Sequence, residues 1–383
     1  MGLFRLPPTY PTSGLNLELF LNGDDRQTAV RRQRRTLPAE WFPQSGIQLT
    51  WPHPCTDWAP ILDDVLACYT RLAYEIARRE PLLVVHPDPE LVREGLQKRL
   101  PAKVLENITI FGCPTNDTWA RDHAFLTVLD TGGIELTDFR FDGWGGKFEA
   151  RLDNAINHRL YESGLLQGNY VDALDWELEG GSIESDGLGT ILTTAACLLN
   201  PNRGGHSREW IETELGRRFG AERVLWLEHG FLSGDDTDSH IDTLARFASE
   251  DTIVYVRCTD KDDLHYNELQ LMEEELQAMR KADGTAYQLI PVPLPKPIYD
   301  EDGERLPATY ANFLILNEAV LYPTYAQPEA DAEAEAALSR AFPRRNIVGV
   351  DCRVLIRQHG SLHCATMQYP RGVFQPHGAE SHS

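Results

Sequence analysis

Apolar positions in this chain recur at two different periods, and the two alternate along its length. Over 58–79, Ile61, Val65, Cys68, Leu72 and Ile76 repeat at three- and four-residue intervals, which sets them on one face of a helix. The short apolar run Leu82-Leu83-Val84-Val85 follows and reads as a strand. A helix is then predicted near 89–100 and a strand over 108–111. The same alternation returns as helix 208–219, strand 224–227, strand 253–257, helix 267–281 and strand 287–292. It closes with strands 312–316 and 319–322, helix 329–341 and strand 347–350. Strands and helices alternating in this way predict an α/β architecture. Nothing in the pattern repeats visibly at a fixed period, so no internal repeat is read from it. No run reaches the 18 or more apolar residues that a membrane span needs, so no membrane partner is expected.

The 383 residues are 42% apolar, enough for a sizeable core, and 25% charged. The net charge of −22 argues against nucleic acid, whose phosphates would be repelled. It suits a cationic substrate, although an acidic surface also serves solubility alone. The charge is uneven. Residues 1–36 hold six Arg against three acidic residues, including Arg31-Arg32-Gln33-Arg34-Arg35, and read as a basic, mobile N-terminal extension. The polar motifs described next lie between 116 and 368. If they build one site they share one domain, so 37–383 is expected to be a single domain. Seven cysteines without a CxxC spacing match neither a disulfide framework nor a zinc ribbon. The opening MGLFRLPPTYPTSG lacks a charged and then apolar leader, so a reducing cytoplasm is the expected location.

Five segments look chemical: Asn116–Asp122, Phe141–Phe148, Leu178–Ile183, Gly234–Asp242 and Gly360–Thr366. If the chain is extended through His240 and Asp242, the two side chains share a face, suiting proton transfer beside a bound cation. The same stretch also reads as a surface acidic loop. Cys364 follows a glycine turn. A nucleophilic thiol needs a depressed pKa or a positive neighbour, and a bound guanidinium would supply one. The alternative is a buried, inert cysteine. His359 and His363 lack the partners of a zinc motif, so no metal is expected. Asp122 and Glu179 stand beside small residues, and carboxylates in a pocket need partners. A planar guanidinium with five N–H donors would satisfy two or three of them, although Asp122 has Arg121 next to it as an ordinary ion-pair partner. Gly180 and Gly181 allow close backbone approach. The Gly- and Trp-rich second segment reads as a tight loop beside a ligand or as a packed turn.

Taken together, these segments resemble the agmatine deiminase family, a branch of the guanidine-modifying superfamily related to bacterial peptidylarginine deiminases. The resemblance begins at Leu37-Pro38-Ala39-Glu40-Trp41, passes through Trp51-Pro52-His53 and Asp57-Trp58, and runs to Gln368. It implies a pentein fold, a five-bladed α/β propeller with pseudo-fivefold symmetry and its site on the axis. It implies Cys364 as nucleophile, His240 as general acid/base, Asp122 and Asp242 as the guanidinium clamp, and Glu179 as the residue assisting the histidine. Asp236 and Trp119 would contact substrate. The implied reaction converts agmatine to N-carbamoylputrescine and ammonia through an amidino-cysteine, with no metal or organic cofactor. Both a monomer and a homo-oligomer stay open.

The chain departs from the family pattern in three places. Thr194-Ala195-Ala196-Cys197 has alanine where many relatives carry glutamate. Gln358-His359-Gly360-Ser361 replaces a run of glycines ending in asparagine, and Met367 replaces a common glutamine. These changes bear on substrate identity more than on reaction class. Peptidyl-arginine and free arginine are the rival substrates. Free arginine would need an arginine in the site to hold its carboxylate, and only Arg151 and Arg203 are at hand. A non-catalytic binding protein on the same fold, or a cysteine peptidase, fits the combined motifs less well.

Overall fold

The computed structural model describes residues 35–376. Of the expected basic extension only Arg35 and Thr36 fall among them. Arg35 Nε donates to the Arg218 carbonyl at 2.6 Å and its guanidinium pairs with Glu135, while Thr36 and Leu129 exchange backbone hydrogen bonds.

The strands, in chain order, are β1 (Gln44–Thr50), β2 (Leu82–His86), β3 (Ile108–Gly112), β4 (Leu126–Asp130), β5 (Gly133–Arg140) and β6 (Asn169–Glu177). They continue as β7 (Ile183–Ser185), β8 (Thr190–Thr194), β9 (Arg223–Leu227), β10 (Ala245–Ser249), β11 (Thr252–Arg257) and β12 (Gln288–Pro293). Last come β13 (Leu314–Ile315), β14 (Ala319–Thr324), β15 (Asn346–Asp351) and β16 (Thr366–Pro370). The longer helices are α1 (Leu62–Ala77), α2 (Pro89–Gln97), α3 (Ile156–Glu162), α4 (Arg208–Phe219), α5 (Tyr266–Ala278) and α6 (Pro328–Ala341).

One plan recurs. Two strands pair antiparallel through a short turn, a helix crosses over, and a third strand lies parallel to the second. The crossover is obligatory, because parallel neighbours cannot be joined by a tight turn. The plan is met in β4-β5-α3-β6, β7-β8-α4-β9, β10-β11-α5-β12 and β13-β14-α6-β15. The fifth unit joins the two ends of the described chain. β16 pairs antiparallel with β1, α1 crosses to parallel β2, and α2 adds β3 at the edge. Five small sheets, not one closed barrel, therefore form the pentein propeller expected from the family resemblance.

Local chemistry sets the helix ends. Asp88 accepts from Leu91 N and Pro89 follows it at the start of α2. Ser207 caps α4, and Gly220 at φ 70° stops it. Predicted helix 208–219 matches α4 to the residue. Helix 267–281 stops earlier, at Ala278, where Met279 turns extended. Strand 312–316 shrinks to Leu314–Ile315, because Asn312 turns into the interior instead. No strand was predicted from β4 to β8: β4, β7 and β8 are short, and the longer β5 and β6 lack a clean apolar period.

Candidate active site

Each unit contributes at the same place, just ahead of its first strand. Asp122 stands before β4, Glu179 before β7, His240 and Asp242 before β10, Asn312 before β13 and Cys364 before β16. All six are buried. Residues far apart in the chain thus meet because equivalent ends of five sheets converge.

Asp122 sits on a single helical turn, Ala120–His123. Its Oδ1 accepts from Gly181 N at 3.0 Å and its Oδ2 from Trp144 Nε1 at 3.1 Å. Burial pushes its carboxyl up, the nearby His240 opposes this, and Asp242 and Glu179 add to it, leaving it at about 6. His240 has Asp122 Oδ1 3.7 Å from Nδ1 and Glu179 Oε2 3.9 Å from Nε2, and neither nitrogen makes a short hydrogen bond. Burial alone would pull the imidazole down. The Asp122 carboxylate, with Cys197 and Glu179, outweighs it and holds the ring protonated well above the ordinary histidine range. Glu179 is fastened from behind by Arg203 Nε, 2.8 Å from Oε2. Burial raises this carboxyl, but the Arg203 guanidinium and His240 carry it down to about 2.

Gly181 explains the close assembly. A Cβ there would lie 2.6 Å from His240 Nδ1 and 2.9 Å from Asp122 Oδ1, so no other residue fits without moving both. Gly360 serves the aromatic wall in the same way, since a Cβ would fall 2.2 Å from the Trp119 ring.

Cys364 Sγ lies 3.2 Å from Asn312 Nδ2 and 3.7 Å from Asp242 Oδ2. Asn312 Oδ1 accepts from the backbone N–H of His363 at 2.8 Å, fixing the loop that carries the thiol. Burial pushes the thiol well up, and the carboxylates of Asp242 and Asp122 push it further. Beneath it, His363 Nδ1 is 2.7 Å from Asp242 Oδ2, and its other nitrogen faces Glu40 Oε1 at 2.8 Å. Arg246 spans Glu40 and Glu184, and Arg121 pairs with Glu40 at 3.1 Å. Among the described residues, Asp242 Oδ1 has no hydrogen-bond partner.

A cavity of about 230 Å³ opens onto Cys364, Asp122, Trp119 and Trp144 at its floor. Asp57, Phe148, Asp236, Gln358 and His359 stand at its more exposed end. Of the expected site residues, Cys364, Asp122, Trp119 and Asp236 line this space. His240, Glu179 and Asp242 are packed against the first two without lining it.

The structure decides four readings that the sequence left open. His240 and Asp242 do not share a strand face, because Ile241–Thr243 is a 3-10 turn that sends the two side chains to different partners. Asp122 does not pair with Arg121, which turns to Glu40 and Gln368. His359 and His363 do not converge: one lines the cavity and the other lies under Cys364. The Gly- and Trp-rich loop is both a packed turn and a cavity wall, with Trp144 held at φ 58°. Asn312, His363, Glu40, Arg246 and Arg203 went unrecognised as supports of the site. Two buried clusters bring together metal-ligand types, Glu179–Cys197–His240 and Glu40–Glu184–His363, but in each an arginine guanidinium already sits on the carboxylates.

Five ββαβ units delivering a cysteine, a histidine and paired carboxylates to one cavity define a pentein of the guanidine-modifying, cysteine-dependent class. Within it, the chain belongs to the Porphyromonas-type peptidyl-arginine deiminase family, whose sequence profile matches residues 36–370. It is 50% identical to a solved structure from Porphyromonas gingivalis, provisionally named an arginine deiminase, with a TM-score of 0.84 over 89% of this chain and 100% of that one. It is 38% identical to a cysteine-to-serine variant of the C. jejuni agmatine deiminase with substrate bound, with a TM-score of 0.80 over 88% and 96% of the two chains. The agmatine deiminase of Stutzerimonas stutzeri (strain A1501) is 32% identical over 356 residues, covering 87% of this chain and 95% of that protein.

Proposed function

We propose that this protein hydrolyses the guanidinium group of agmatine, yielding N-carbamoylputrescine and ammonia through a covalent amidino-cysteine. The observation that carries the reading is Cys364 beside Asp122 on the floor of a cavity whose outer end is again acidic, with Asp242 Oδ2 packed 3.7 Å from the thiol. A guanidinium at the floor places its N–H donors against Asp122, with the negative charge of Asp242 packed behind Cys364. Its charge offsets the two carboxylates that hold the Cys364 thiol protonated, so substrate binding itself favours the thiolate.

The thiolate adds to the guanidinium carbon. His240, held as imidazolium, protonates the departing nitrogen, and ammonia leaves a covalent thiouronium. The now neutral His240 takes a proton from water as its oxygen adds to the same carbon. Collapse of this second adduct breaks the C–S bond, restores the thiolate and releases the ureido product. One proton is left over, and the ammonia takes it up. Glu179 assists by keeping a full negative charge beside His240.

Agmatine is preferred over free arginine because no arginine lines the cavity to meet an α-carboxylate. Arg203 is committed to Glu179 and Asp238, and Arg151 lies exposed beside Glu149. Ammonia release measured against agmatine, arginine and an arginine-containing peptide tests the reading. Agmatine should lead arginine by about 100-fold in kcat/KM, on the order of 3 kcal/mol. Cys364→Ser should abolish turnover. A preference for peptidyl-arginine, or activity surviving in Cys364→Ser, would defeat the assignment.

A further inference from the structure

Among the described residues, His359 is one of five other than glycine in the left-handed region, at φ 64°. Side chains rarely adopt that backbone, so the residue's placement there points to a role for its ring. The imidazole Nδ1 lies 2.7 Å from the Gly234 carbonyl oxygen. A carbonyl can only accept, so Nδ1 carries a hydrogen and Nε2 is the remaining nitrogen of a ring that lines the cavity. Asp236, two residues beyond Gly234, lines the same end. The Lys147 ammonium beside this end is already engaged, 2.5 Å from the Asp236 carbonyl and 2.9 Å from Asp238 Oδ1. The end of the cavity away from Cys364 therefore offers an imidazole and a carboxylate, and no Lys or Arg among the described residues lines it.

Resting on the deiminase reading above, we propose that His359 and Asp236 form a terminal-ammonium subsite. His359 Nε2 accepts one N–H of a primary ammonium carried on the substrate's alkyl chain, and Asp236 supplies the countercharge. His359 is then a specificity-determining residue. It makes a chain ending in ammonium bind more tightly than a chain of equal length ending in methyl.

Equilibrium binding separates this subsite from catalysis. Calorimetric Kd values for agmatine and for n-butylguanidine, which lacks the terminal amine, are measured on the full chain carrying Cys364→Ser. The same pair is measured with His359→Ala, His359→Gly or Asp236→Asn added. Agmatine should bind the Cys364→Ser protein at least tenfold more tightly than butylguanidine. Each added substitution should cut that ratio at least fivefold, through agmatine and not butylguanidine, with the thermal midpoint confirming a folded chain. His359→Gly relieves the backbone strain, so it keeps the test open if His359→Ala folds poorly. An equal affinity for the two ligands, or a ratio unmoved in a folded His359 variant, would overturn the proposal. Tight agmatine binding without ammonia release by the unsubstituted enzyme would instead uphold the subsite and sink the deiminase reading.

Discussion

At the scale of single residues, the site works by setting charges against one another in a dry space. Asp122 is kept near 6 chiefly by burial, well above an ordinary aspartate. A clamp for guanidinium needs the ionised form, so its loss begins early on acidification. The expected kcat/KM for agmatine therefore falls below about pH 6, steepening toward tenfold per unit, with the apparent value belonging to the Asp122–His240 pair. A profile flat down to about pH 4.5 would remove Asp122 from the clamp. Gly181 gives a second prediction. Adding one methyl, Gly181→Ala, forces His240 or Asp122 aside. The expected cost is at least about 100-fold in kcat, since an ångström of misplacement is enough for that, with the fold retained by circular dichroism. Wild-type turnover in that variant would show that the contact yields freely.

At the scale of elements, the decisive feature is the segment leading into each first strand. These segments are irregular, yet they are pinned across unit boundaries. Arg203, on the 3-10 turn Pro201–Arg203, bonds Glu179 of its own unit and also Asp238 and the Thr237 carbonyl of the next. Removing it leaves Glu179 buried, charged and short of its strongest partner. Arg203→Met should therefore destabilise the protein by about 3–5 kcal/mol, read as a lower denaturant midpoint at an unchanged slope. A loss below about 1 kcal/mol would mean that the pin contributes little beyond an exposed ion pair. Helices were the most legible elements in the sequence, because 208–219 and 329–341 carry a sustained period with caps or a proline at the start. The strands from β4 to β8 were not, because β4, β7 and β8 span only three to five residues and the longer β5 and β6 lack a clean apolar alternation.

At the scale of the whole molecule, the net charge of −22 surrounds a cavity with Asp57 and Asp236 at its outer end. A dication is steered toward such a surface more strongly than a monocation. Raising ionic strength from about 0.01 to about 0.1 M shortens the screening length from about 30 to about 10 Å. Over that range kcat/KM for agmatine should fall severalfold, and for butylguanidine by roughly the square root of that factor. Equal salt slopes for the two would show that the field does no steering. Among the described residues no helix is long and apolar enough to cross a membrane, in keeping with the absence of any long apolar run.

By itself the sequence determined the α/β alternation, the places of five of the six longer helices and the residue types of the chemistry. Periodicity and side-chain identity are local properties, and motif order exposed the family through Cys364, His240, Asp122, Glu179 and Asp242. Only the tertiary structure decided which of these touch. Asp122 turned from its neighbour Arg121 to Trp144 and Gly181, and Arg203 proved to be a support for Glu179 and not a carboxylate binder. Asn312 joined the thiol although nothing in its own segment marks it. The reason is physical: the contacts that set charge and geometry here link residues in different units. Their proximity follows from the pairing of β16 with β1 and the convergence of five sheets, which no local pattern encodes.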